Sequence, residues 1–135
     1  MSDKKSYKTV AIIGGGLIGT SLSLSIKKNN LCDVIKVYDS NIEVRKKLKE
    51  RLSPNEIYES LEDTVFDADL VVLCIPVGSM KEVAKSISKL LKDGCILTDT
   101  GSTKNSVIKD VKPYISQNIW FIPSHPLAGT ENSGP

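Results

Sequence analysis

Residues 14–19, Gly-Gly-Gly-Leu-Ile-Gly, constrain the fold of this chain more tightly than any other stretch. They follow an apolar run, Lys8-Thr9-Val10-Ala11-Ile12-Ile13, and they open a segment, residues 17–28, with the pattern of a helix. An uninterrupted apolar run of that kind suits a strand buried on both faces. Each glycine has its own task. Gly14 permits a tight turn out of the strand, Gly16 leaves the backbone bare where another group must come close, and Gly19 lets the helix lie near the strand. Ser21, Ser23 and Ser25 keep that helix slim for the same close approach. A strand that passes straight into a helix points to a parallel sheet with crossover helices rather than to hairpins.

The rest of the chain repeats the alternation. Residues 34–38 read as a second strand ending at Asp39, and residues 41–51 as a charged helix broken by Pro54. A short strand is expected at residues 57–58 and a brief helical turn at 61–66. Residues 69–75, Asp-Leu-Val-Val-Leu-Cys-Ile, form the strongest buried strand, stopped by Pro76. Met80, Val83, Ala84, Ile87, Leu90 and Leu91 then fall on one helical face, with Gly94 in the position that ends a helix. A strand at 95–99, a helix at 103–111 stopped by Pro113, a last strand at 119–122 and a loop at 124–135 complete the pattern. The expected fold is α/β: one domain, 1–135, with a doubly wound parallel sheet of Rossmann type in the strand order 3-2-1-4-5-6. Ligands bind such sheets at the carboxyl ends of the strands.

Composition narrows the function classes. A chain of 135 residues can bury one sizeable core. Its net charge of +2, with lysines scattered rather than clustered, argues against a nucleic-acid partner. No apolar run approaches the roughly 20 residues of a membrane span. The polar residues 1–8 are not followed by the long apolar stretch and cleavage site of a signal peptide, so a cytoplasmic location is expected. Cys32, Cys74 and Cys95 lack metal-ligand spacing, and one histidine makes no metal site, so no metal is expected. Cys74 and Cys95 lie in apolar runs at opposite ends of neighbouring strands and are expected to remain thiols.

The glycines satisfy G-x-G-x-x-G, and Asp39 stands 20 positions after Gly19. Strand, glycine turn, helix and a distant acidic residue together mark a dinucleotide site. The bare helix start favours a pyrophosphate. A carboxylate at the end of the second strand accepts a hydrogen bond from a ribose 2′-hydroxyl and repels a 2′-phosphate, so the cofactor expected is NAD rather than NADP. Asp39 has a second reading as the N-cap of the helix near Asn41. Arg45 follows within that helix and is expected to point outward. Ile75, Pro76 and Val77 should line the cleft, largely through backbone and proline ring, although Pro76 also serves to end a strand.

Two further stretches carry a family resemblance. Asp99-Thr100-Gly101-Ser102-Thr103-Lys104 and His125-Pro126-Leu127-Ala128-Gly129-Thr130-Glu131-Asn132-Ser133-Gly134-Pro135 resemble signature stretches of the prephenate dehydrogenase family, which includes arogenate and cyclohexadienyl dehydrogenases. The glycine loop with Leu17 and Ile18 and the run at residues 68–73 are similar to it too. The resemblance implies NAD-dependent oxidative decarboxylation of a small-molecule substrate, prephenate or arogenate, in tyrosine biosynthesis. It makes His125 the acceptor of the substrate's hydroxyl proton, a task suited to an imidazole's ordinary pKa. Ser102 would bond the same hydroxyl or orient the imidazole, and Thr130 and Glu131 would face the substrate. Gly101 would sit against the cofactor. Ser102 can also be read as a helix N-cap, Lys104 as a solvated lysine or a contact to anionic substrate, and Asp99 as orienting the Ser102 loop or merely capping it.

The family continues into a mostly helical domain that forms a homodimer and supplies an arginine for the substrate carboxylate. The resemblance places that domain outside these 135 residues, so the chain by itself is expected to bind NAD with negligible turnover. Two other functions fit parts of the pattern. A non-catalytic NAD-sensing module would keep Gly14, Gly16, Gly19 and Asp39 without needing His125. Another small-substrate reductase of this fold would lack the stretch at 125–131.

Overall fold

A computed structural model describes residues 6–124. Five parallel strands form one sheet: β1 (Tyr7–Ile13), β2 (Cys32–Tyr38), β3 (Leu70–Leu73), β4 (Ile96–Asp99) and β5 (Trp120–Phe121), in the order β2-β1-β3-β4-β5. Five α-helices connect them: α1 (Leu17–Lys28), α2 (Ile42–Arg51), α3 (Leu61–Val65), α4 (Val77–Ile87) and α5 (Lys104–Val111). None of the described helices is long and apolar enough to cross a membrane.

Side chains alternate across each strand, so the sheet divides its core in two. Ala11, Ile13, Val71, Leu73 and Leu97 pack under Val65 of α3, Met80 and Ala84 of α4 and Val107 of α5. Val10, Ile12, Ile35, Val37 and Val72 face the other way, against Ile26 of α1 and Leu48 of α2. The chain winds outward from β1 in one direction through β2, and in the other through β3, β4 and β5. The switch point of this doubly wound sheet therefore lies between β1 and β3, where such sheets bind ligands.

Register decides what meets there. Ile13 is level with Tyr38 on one side and Leu73 on the other, and Leu73 is level with Asp99. The next residues along the chain, Asp39, Gly14, Cys74 and Thr100, thus emerge from one edge.

Two expectations are corrected. The strand at 57–58 is a single parallel bridge between Ile57 and Val37. It lies outside β2, where the expected order put a strand. Only three residues separate the 3-10 turn Pro54–Glu56 from Ser60, which caps α3, so no ladder can grow. Gly94 does not end α4. The helix stops at Ile87, and Leu90 is 37% exposed rather than part of a buried stripe. Gly94 has φ +86° and donates its amide to the Asn118 carbonyl, so its left-handed backbone serves the turn into β4.

Candidate functional site

The glycine turn is built as its spacing requires. Gly14 has φ +114°, and its amide donates to the Tyr38 carbonyl at 2.7 Å. A Cβ there would overlap the Cys74 carbonyl, and one at Gly19 would overlap the Gly14 carbonyl, so both positions exclude a side chain. Thr20 Oγ1 donates to the Gly15 carbonyl, which binds α1 to the turn, and Ser23 Oγ donates back within the helix to the Gly19 carbonyl. At Gly16, the N-cap of α1, a Cβ would meet nothing within 4 Å. That open space lies beside the first-turn amides of a helix with no acidic residue in that turn, a place suited to an anion. Among the described residues Leu17 is 83% exposed and Ile18 48%, two apolar side chains left uncovered beside the turn.

Asp39 continues from β2. One carboxylate oxygen accepts from the Gly15 amide and the other from the Asn41 amide, each at 2.8 Å. The cap of α2 is Asn41, whose side chain accepts from Glu43, so the N-cap reading of Asp39 is set aside. Arg45 does not point outward. Its guanidinium donates to the Asp39 carbonyl at 2.6 Å and lies over the Tyr38 ring.

Two hollows adjoin at this edge. One holds Gly14, Tyr38, Asp39 and Ser79. The other, of about 530 Å³, holds Gly16, Leu17, Ile18, Val77, Gly101 and Ser102. Ile75 and Pro76 form the wall common to both. Pro76 also occupies the N-cap position of α4. Gly19 lies beneath the turn and lines neither. Tyr38, Ser40, Ser79, Val83 and Thr100 line these hollows without having been given a site role in the sequence. Each lies within a residue or two of a strand end or on the first two turns of α4, a position evident only once strand ends are aligned.

Ser102 is exposed in the loop after β4. It does not cap α5, because Thr103 holds that position and its side chain makes no capping bond. Lys104 is part-buried and pairs with Asp99, a partner that neither reading anticipated. Asp99 is fully buried, and besides Lys104 it accepts from the Gly101 and Ser124 amides. Burial pushes the Cys74 thiol up to about 11, with Asp99 adding to the effect and a Thr100 hydrogen bond opposing it. All three cysteines are thiols. Cys74 follows the Leu73–Asp99 level and Cys95 precedes the Leu70–Ile96 level, so five residues of strand rise, about 16 Å, separate them. His125, Thr130 and Glu131 lie outside the described residues.

A doubly wound sheet with this turn, this acidic residue and this cleft defines a Rossmann-type nucleotide-binding domain. The family described as prephenate dehydrogenase, nucleotide-binding domain, matches residues 22–135. The chain belongs to that family. The cyclohexadienyl dehydrogenase of Zymomonas mobilis is 41% identical over 129 residues, covering 96% of this chain and 44% of that protein. The prephenate dehydrogenase of Lactococcus lactis is 33% identical, with 94% and 36% covered. The prephenate dehydrogenase of A. aeolicus, solved in complex with hydroxyphenyl propionate and NAD+, is similar at a TM-score of 0.78 and 30% identity, covering 95% of this chain and 46% of that one. The chain thus spans less than half the length of these relatives.

Proposed function

We propose that this domain is the NAD-binding half of an enzyme that oxidatively decarboxylates prephenate or arogenate in tyrosine biosynthesis. The observation that carries the reading is the continuous edge from Asp39, past Gly16 and Pro76, to Ser102, in a chain of this family. The residues present fit a dinucleotide. The open space at Gly16 and the α1 amides suit its pyrophosphate. Each Asp39 oxygen accepts one backbone amide and keeps a further acceptor position for a ribose hydroxyl. Ile75, Pro76, Val77 and Gly101 supply walls for the rings.

Bound in this cleft, the nicotinamide supplies hydride-accepting chemistry. The chain's own residues manage the substrate. His125 takes the proton of the substrate's hydroxyl as its carbinol carbon is oxidised, and Ser102 hydrogen-bonds the same oxygen or holds the imidazole. Loss of the ring carboxylate as carbon dioxide leaves its electron pair in the ring, which becomes aromatic. Thr130 and Glu131 face the substrate. The substrate carboxylates are held by a helical domain beyond this chain, through which the cytoplasmic enzyme forms a homodimer.

The test is turnover of prephenate and of arogenate with NAD by the full-length enzyme carrying this domain. NADH formation with at least one substrate is expected, and oxidation of neither would sink the reading. His125→Asn should remove most of the turnover, by about 10²–10⁴-fold for a lost general base, and leave NAD affinity near the parental value.

A further inference from the structure

One buried carboxylate ties together the two segments that carry the substrate chemistry. Asp99 ends β4 with no solvent exposure. Its two oxygens serve different loops. Oδ2 accepts from the Gly101 amide at 2.7 Å and from Lys104 Nζ in the first turn of α5. Oδ1 accepts from the Ser124 amide at 3.2 Å. The Ser124 hydroxyl donates back to the Asp99 carbonyl at 2.7 Å and lies 2.8 Å from Thr98 Oγ1. Thr98 also donates to the Ile122 carbonyl at 2.6 Å. The segment leaving β5 is therefore fastened to the end of β4 at both residues 122 and 124.

A buried carboxylate is costly unless donors meet it. Lys104 meets that need at Oδ2 alone. Here the same group also receives two backbone amides, one adjacent in sequence to Ser102 and the other to His125. We infer that Asp99 is a positioning residue: through the Gly101 and Ser124 amides it sets the Ser102 loop and the backbone entering His125 at a fixed separation. This rests on the function proposed above for those two residues. The chemistry requires a carboxylate specifically. An asparagine side chain has one acceptor oxygen, and its amide nitrogen would face the second backbone N–H, donor against donor. Asparagine can hold one loop but not both.

The test uses the full-length enzyme with Asp99→Asn, and with Asp99→Asn combined with Lys104→Met so that no lysine is left unpaired. Backbone amide exchange, thermal unfolding, NAD affinity, and kcat and KM are measured on each. In Asp99→Asn, exchange at Gly101 or Ser124 should quicken about tenfold or more. Turnover should fall about hundredfold, as small displacements of reacting groups do, with NAD affinity within about threefold. The double variant should regain thermal stability without regaining kcat. Return of kcat in the double variant would reduce Asp99 to a counter-ion for Lys104 and overturn the inference, as would unchanged exchange at both amides. A parental enzyme inactive on both substrates is a different failure. It refutes the proposed function, and the exchange measurement still decides whether Asp99 holds both loops.

Discussion

Asp39 is the residue proposed above to meet the cofactor's ribose, and cofactor choice tests that role. Its carboxylate stands at the end of β2, fixed by the Gly15 and Asn41 amides, while the Arg45 guanidinium sits against its carbonyl. The carboxylate repels a 2′-phosphate that the neighbouring arginine would attract. Calorimetry should show NAD binding more tightly than NADP. Asp39→Ala should lose about 1.5–3 kcal/mol of NAD affinity, roughly tenfold or more, and erase or reverse the preference because Arg45 remains. Equal affinities in the parental protein would remove Asp39 from its ribose role. Cys74 offers a second test at this scale. Burial raises its thiol to about 11 and does the same for Cys95, so little thiolate exists at pH 8. Both should react with a thiol reagent at least about tenfold more slowly in the folded than in the unfolded protein. An intact bridge between them found by mass spectrometry would contradict the register of β3 and β4.

At the scale of the elements, the amino edge of the sheet has its own fastening. The Asp69 carboxylate, just before β3, accepts from the Lys8 and Thr9 amides at 3.0 and 2.9 Å and pairs with Lys92 at 2.8 Å. The Lys92 ammonium holds that carboxyl below the usual carboxylate range, the two amides add to the effect, and burial opposes it. A carboxyl depressed on folding contributes stability that is fully present above its unfolded pKa, about 3.9, and is lost as pH falls through the lower folded value. Asp69→Asn should therefore cost about 1 kcal/mol near neutrality, after allowance for solvent screening, and lower Tm by a few degrees. It should also shrink the acid limb of the stability curve below about pH 4. An unaltered acid limb measured by thermal unfolding at stepped pH would show that Asp69 carries no folding-linked proton. Elements also mark where periodicity misleads. Leu90 and Leu91 continue the apolar spacing of α4, yet the helix ends at Ile87, because after that point the chain must turn to start β4 beside β3.

For the whole molecule, the described residues complete the nucleotide edge but no enclosure around a substrate. The 135-residue chain should bind NAD in calorimetry yet oxidise prephenate negligibly, since positioning a substrate for transfer can supply about 7–11 kcal/mol and the described residues include no clamp for both carboxylates. Turnover by the isolated chain near that of a typical enzyme would locate the clamp within it. Much of this architecture was legible in the sequence, because it rests on local rules. The apolar runs, the glycine turn and the helix from 17 to 28 each obey constraints acting within a few residues, and the spacing from Gly19 to Asp39 is simply the rest of α1, a short connection and β2. The six-strand expectation misplaced only residues 57–58, where pairing is a single bridge. What sequence could not decide is which side chains meet across the sheet. Asp99 could be read as capping or orienting, Lys104 as solvated, and Arg45 as outward. Their partners are Ser124, Asp99 and the Asp39 carbonyl, brought within reach by strand register and by the packing of α2 and α5. Local periodicity determines the elements. Only the tertiary alignment of strand ends determines that a buried carboxylate on β4 holds both loops of the proposed substrate site.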